Sequence, residues 1–224
     1  MKISGSNVLD SIIVEDLEQI ESDKTEVGNE TTEKELSYKA PTELGDDLLS
    51  FTIKLEGDLY KLPAPMSAFL DNGFTITDPP PSYLTSTLIY KYLPGMTGTR
   101  PRGLFLSLSQ SYIYLKKGNI TYAVDAFNYS DKPLVIEKCF VTGIQDPSDH
   151  KETADFVLPG DITFGTSENI LLDKFGNILE KIKYSGDGLG YRYTNDRMGQ
   201  QIDILLDFNT KLVNSIEIRN PEYE

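Results

Sequence analysis

Cysteine and histidine are almost missing from this chain, and tryptophan is absent altogether. Cys139 and His150 are the single representatives of their kinds in 224 residues. One cysteine excludes an internal disulfide and a thiolate cage for a metal. One cysteine with one histidine also removes His- and Cys-built metal sites and nearly every common nucleophile–base pair. No apolar run approaches the roughly twenty residues that a membrane-crossing helix needs. The opening stretch, MKISGSNVLDSIIVEDLEQI, has acids inside its apolar patch, unlike the uninterrupted apolar core of a signal peptide. Positive charge is scarce as well. Lys and Arg number 21 against 35 Asp and Glu, a net charge of −14 that argues against nucleic acid or an anionic membrane as partner. No cofactor and no metal are expected.

What remains is ordinary for a globular chain, with 39% hydrophobic and 25% charged residues. Thirteen Tyr and ten Phe favour pleated surfaces, so the core is expected to be rich in sheet. The acidity is concentrated near the start. From Glu15 to Asp47 twelve acids face three bases, a net of −9 for that segment. Its few apolar side chains cannot offset the entropy of ordering it, so residues 1–47 read as an acidic, largely disordered tether. A first unit is expected over 48–147 and a second over 154–224, divided at the polar stretch DPSDHKET.

The first unit opens with Phe51, Ile53 and Leu55 alternating with Thr52, Lys54 and Glu56, the pattern of a half-buried strand. Gly57-Asp58 turns the chain. Pro65 suits a helix start, Met66, Phe69 and Leu70 share a face, and Asn72-Gly73 ends the helix. The run Asp78–Ser82 reads as a stiff connector, and 88–93 as a strand. The loop Gly95–Gly103 carries two arginines but lacks the Gly-Lys-Ser/Thr ending of a phosphate cradle. Strands over 104–115 and 120–127 are joined by a KKGN hairpin turn, and a last strand is expected over 134–144 with Cys139 buried in it.

The stretch VLPGDITFGTSENILLDKFGN, 157–177, sets up the second unit. Thr166 or Ser167 caps a short helix expected to turn Ile170, Leu171 and Phe175 inward, and Gly176 closes it. Four strands follow, over 178–184, 189–194, 201–208 and 212–219. Ile202, Ile204, Leu206 and Phe208 are expected on the greasy face, opposite Gln201, Asp203, Leu205 and Asp207. Ile182 and Tyr184 are expected to oppose Lys181 and Lys183, and Ile216 and Ile218 to oppose Glu217 and Arg219. Tyr184, Tyr191 and Tyr193 read as packing residues. The fold class is thus α+β: two tandem units, each a short helix packed on an antiparallel sheet.

The charged face of the second sheet is the candidate site. Lys181, Lys183, Arg192, Asp203 and Asp207, with Glu217 and Arg219 on the same face, would interleave both signs across neighbouring strands, suited to setting register with a protein partner. The competing interpretation is cross-strand pairing that only keeps a sheet soluble. A pair among Asp155, Asp161, Asp187, Asp203 and Asp207 would alternatively suit a carboxylate-based hydrolase or a carbohydrate-binding module. No residue fixes a cleft for it, and the missing tryptophan removes a frequent sugar platform.

The pattern LPGDITFGTSENILLDKFGN, with a tyrosine-bearing meander and a last strand ending IEIRN, resembles a known domain type. It is similar to the helix-plus-four-strand repeats of secreted proteins and lipoproteins of Gram-positive gut bacteria, themselves similar to β-lactamase-inhibitory-protein-like domains. Phe164-Gly165-Thr166-Ser167, Leu171 and Phe175-Gly176 carry the likeness, which covers about 155–220. GDLYKLPAPMSAFLDNGF resembles the partner repeat upstream. The resemblance implies a non-enzymatic protein-binding or adaptor module, extracellular or in the cell envelope if an export signal lay upstream, otherwise cytoplasmic. No contact residue carries over from it.

Overall fold

The computed structural model describes residues 37–77, 103–104, 113–130, 134–147, 153–183 and 188–221, all within one compact unit, Thr32–Glu224. Several expectations lie outside the described residues: the tether over 1–36, the proline run, the strand over 88–93, nearly all of the arginine loop and of the stretch 104–112, His150, Tyr184 and Asp187. The end of the expected tether is different in kind. Tyr38 packs against the core and its hydroxyl accepts the Lys61 N–H at 3.4 Å, while Gly45 accepts the Gly160 N–H at 3.1 Å.

Strands β1 (Thr52–Leu55) and β2 (Asp58–Lys61) form a hairpin through Glu56 and Gly57, both at positive φ (49° and 92°). A two-residue turn with two left-handed positions matches the natural twist of the strands it joins. β3 (Ala64–Pro65) leads into helix α1 (Met66–Asp71), with Pro65 at the N-cap and Met66 and Phe69 buried. Phe69 stacks on Tyr60 at 4.0 Å between ring centroids. β4 (Thr75–Thr77), β5 (Gly103–Leu104), β6 (Ile113–Lys117) and β7 (Ile120–Asn128) follow, with Gly118 at positive φ in the β6–β7 turn as KKGN anticipates. The single strand expected over 134–144 is instead broken. A 3-10 turn, Ile136–Lys138, sends both Ile136 and Cys139 inward three residues apart, and strand β8 covers only Phe140–Gln145.

After β9 (Phe156–Val157), the chain turns at Gly160, which sits at φ 69° against Phe175. A Cβ there would come within 2.9 Å of the Phe175 ring, so both backbone and space call for glycine. Ser167 caps helix α2 (Glu168–Phe175), its Oγ accepting the Ile170 N–H at 3.5 Å, while the Thr166 Oγ1 accepts the Thr163 N–H instead. Leu171 and Phe175 are buried, but Ile170 is 48% exposed, contrary to expectation. Residues 170 and 171 are about 100° apart on a helix, and a two-turn helix presents only one narrow stripe to the core. Strands β10 (Glu180–Lys183), β11 (Leu189–Asn195), β12 (Gln200–Leu206) and β13 (Val213–Arg219) complete the chain.

Among the described residues ten strands join in one antiparallel sheet. Its order is β10-β11-β12-β13-β8-β7-β6-β4, with β3 added to β8 and β5 to β7. The sheet therefore crosses the polar stretch that was expected to divide two units, because β8 pairs with β13 through Gln145↔Glu217, Ile144↔Ile218 and Gly143↔Arg219. The molecule is sheet-rich α+β, with two short α-helices among the described residues.

Ile113, Val124, Ile144, Ile218, Ile202 and Tyr193 stand opposite one another across six strands. They belong to one apolar cluster that also takes in α1, α2 and the three-stranded sheet β2-β1-β9. Ring contacts tie the layers, Phe156 to Tyr122 at 6.1 Å and Phe51 to Tyr193 at 6.4 Å. Each fully buried Leu or Ile side chain contributes about 1.5–3 kcal/mol. One face of the large sheet thus carries this core, while on the other face Ala123 and Tyr114 are buried too.

Candidate functional site

Residues directly opposite in an antiparallel ladder share a face. The row one residue out of phase with the apolar one therefore belongs to the far side of the sheet. It reads Glu180, Arg192, Asp203, Glu217, Gln145, Ala123 and Tyr114. The next far-side row reads Thr194, Gln201, Arg219, Gly143 and Asp125. The two rows gather charge from β7, β10, β11, β12 and β13.

Arg192 and Asp203 are the centre of this face. Nε and Nη2 of Arg192 donate to the two carboxylate oxygens of Asp203, both at 2.6 Å, and Gln201 Nε2 adds a bond at 2.8 Å. That fork explains how a carboxylate only 5% exposed stays satisfied. Arg219 reaches in the other direction. Its Nε lies 2.8 Å from Asp125 Oδ2, with the N–H not aimed at that oxygen, and its Nη2 is 3.6 Å from Glu217. The contact with Asp125 skips a strand, and Gly143 is what permits it. A Cβ on Gly143 would lie 2.6 Å from Asp125 Oδ2.

Glu217 is the least settled member. Burial raises its carboxyl above the ordinary value of 4.5, and the charges of Asp203 and Asp125 raise it further. Arg219 and a hydrogen bond with Gln145 pull the other way without restoring it. A carboxylate held among carboxylates on a partly buried face is under-supplied with positive charge.

The structure separates the five candidate residues. Arg192 and Asp203 meet as expected. Lys181 and Lys183 do not join them: Lys181 stands opposite Tyr191 and Lys183 opposite Leu189, which puts both on the helix side. The parity is set by Leu179, buried at the end of the α2 connection, since 179, 181 and 183 share a face along a strand. Ile182 faces the far side, against Gly190. Lys181 Nζ is 3.7 Å from Glu168 and 5.8 Å from the Tyr191 ring. Tyr191 donates to the same Glu168 carboxylate at 2.5 Å, and burial with that bond pushes its phenol up to about 12.

Asp207 lies beyond the strand, in the β12–β13 turn. It accepts the N–H groups of Asn209 and Thr210 and the Thr210 hydroxyl, bonds to Thr210 that hold its carboxyl below the usual range. A register shift at Leu205/Leu206 and the turn carry Phe208 out of the expected core, leaving it 52% exposed with Lys211 Nζ 4.5 Å over its ring.

The other carboxylates have separate work. Asp155 accepts Lys54 Nζ and the Gly57 N–H, both at 3.1 Å, and donates its own N–H to Glu56. Glu56 also accepts the buried Tyr122 hydroxyl at 2.5 Å, so this group clasps the first hairpin to β7 and β9. Asp161 sits in the Gly160 turn at positive φ. No set of three or more His, Cys, Asp or Glu is placed to hold a metal ion among the described residues.

Sequence reasoning missed Glu180, Gln145, Asp125 and Gly143 as members of the face. Glu180 carried a signal, since Leu179 at a buried position fixes the alternation of β10. The other three had none, because only the β8–β13 pairing brings them in. Comparison with protein-family models, with curated proteins and with solved structures finds no match.

Proposed function

We propose that this protein is a non-enzymatic protein-binding or adaptor module that meets its partner with the far side of the large sheet. The supporting observation is the arrangement around Glu217, a partly buried carboxylate beside Asp203 and Asp125 that shares its one ion-pair partner, Arg219, with Asp125. Charges that merely keep a sheet soluble sit in water at their ordinary values. A partly buried carboxylate that shares one arginine with a second acid is stabilised further by an incoming Lys or Arg, which supplies specificity as well as attraction. The partner is accordingly a protein offering a basic side chain. The tandem reading belongs to the same proposal: α1 with β4–β8 and α2 with β10–β13 are two related helix-on-sheet units merged through β8 and β13, in keeping with the envelope-associated repeats that the sequence resembles.

A hydrolase on this face would have to use Glu217 and Asp125 with Asp203, the one member of the carboxylate set offered by the sequence that lies here, and one substitution separates the two readings. Glu217→Lys in the full chain, with unfolding measured alongside, is expected to abolish co-purification of a partner that wild type captures while the fold is retained. Unchanged capture would sink the proposal. Glycoside hydrolysis by wild type that Glu217→Gln abolishes would replace it with the enzymatic one.

A further inference from the structure

Among the described residues the large sheet ends at β10. Among the described residues β10 pairs only with β11, so its outer row of N–H and C=O groups faces away from the sheet. Such an edge is a template for another strand unless something blocks it. Among the described residues nothing apolar covers this one: Glu180, Lys181 and Lys183 are exposed and Ile182 is half-buried. The side chain of Lys181 is 59% exposed despite its distant contact with Glu168.

The charge order of this edge decides what it accepts. Lys181 and Lys183 lie on the helix side, Glu180 and Ile182 on the far side. A second copy of β10 is a poor guest. Any antiparallel self-pairing that continues both faces must match residues of equal parity. Each such register sets lysine against lysine (181 with 181, 181 with 183, or 183 with 183) or Glu180 against itself, and like charges directly opposite are destabilising. A different strand fits in one pattern. Read from its N-terminus, an antiparallel guest meets Lys183, Ile182, Lys181 and Glu180 in turn, and so carries acid, apolar, acid, base.

We infer that the free edge of β10 is a strand-addition site for an extended peptide segment of the order acid–apolar–acid–base. Main-chain bonds hold the guest, and alternate side chains select it. The site rests on the protein-binding reading above and adds a second contact region beside the far-side face. A one-residue slip moves every guest side chain to the wrong face, so composition alone does not satisfy the site.

The experiment titrates full-length protein with labelled octapeptides, followed by fluorescence anisotropy and by amide chemical shifts. Thr-Thr-Glu-Val-Glu-Lys-Thr-Thr is the matched probe. Thr-Thr-Glu-Glu-Val-Lys-Thr-Thr has the same composition but puts its two acids on opposite faces. The matched probe is expected to bind at least tenfold more tightly and to shift the amides of β10. In Lys181→Glu/Lys183→Glu the preference reverses toward Thr-Thr-Lys-Val-Lys-Lys-Thr-Thr, and the single variant Lys183→Glu gives an intermediate loss if the double variant is poorly folded. Equal binding of the two isomers, no binding of either, shifts confined to other strands, or self-association through β10 on sedimentation would each overturn the inference. If these peptides fail while Glu217→Lys still abolishes partner capture, the edge site is wrong and the binding module stands.

Discussion

Gly143 lacks a side chain at the one point where Arg219 must cross a neighbouring strand to reach Asp125. Its backbone is ordinary, so the need is for space alone. Gly143→Ala is expected to displace the Asp125 carboxylate and cost about 1–3 kcal/mol, as overpacking does. In the Asp125→Ala background the same change should cost much less, because the atom it strikes is gone. Urea unfolding of the four proteins checks this, and equal costs in both backgrounds would place the strain elsewhere. Glu217 gives a second test at this scale. Its folded-state pKa is raised, so the folded state holds the proton more tightly than the unfolded chain. The stability this contributes is fully present below the ordinary value of 4.5 and is lost as pH rises through the folded value. Glu217→Gln should flatten the pH dependence of unfolding above pH 4.5 and be more stable than wild type once pH has passed the folded value. The same unfavourable charge at neutral pH is what a basic partner would relieve.

At the scale of the element, helix α2 is short enough that one side chain on each flank tells how it sits. Leu171→Ala removes a fully buried side chain and is expected to cost 2–5 kcal/mol by the usual range for core truncation. Ser167→Ala removes the cap for about 1 kcal/mol. Ile170→Ser, one position from Leu171, should change stability by less than about 0.5 kcal/mol because that side chain is half in water. A large loss for Ile170→Ser would mean that the helix is rotated.

Elements of this kind were largely legible beforehand. Capping residues, the Gly160 turn and the alternation of Ile202, Ile204 and Leu206 locate α2 and β12 with no tertiary information. Legibility failed where two periods compete. Ile182 looks like a core residue by its chemistry, yet Leu179 governs the parity of β10 and sends it outward. The stretch 134–144 looks like one strand by composition, but Ile136 and Cys139 both reach the core only through a 3-10 turn. Phe208 looks inward until the register shift beside it is known.

At the scale of the whole molecule, the pairing of β8 with β13 was the least legible feature. A polar connector containing Pro147 is a sound sign of a break in local structure, and β8 does end at Gln145, just before it. It says nothing about which strands meet in space, since strand partners are chosen by matching faces far apart in sequence. Ile144 and Ile218 supply that match on the face that carries the core, and Gln145 with Glu217 supply it on the other. Half of the candidate site was legible for the same reason: Arg192 and Asp203 lie on consecutive strands, whereas Asp125, Gly143 and Gln145 arrive from the far half of the chain.

A sheet continued through β8 and β13, backed by one apolar cluster, should open as a unit. The most direct measurement is native-state amide hydrogen exchange across the denaturant range. The Val124, Ile144, Ile218 and Ile202 amides are expected to fall in the same slowest class and to merge on a single global unfolding free energy. Exchange in β10–β13 that opens at a lower free energy than β6–β8, independently of it, would contradict the continuous sheet and the recognition face that spans it.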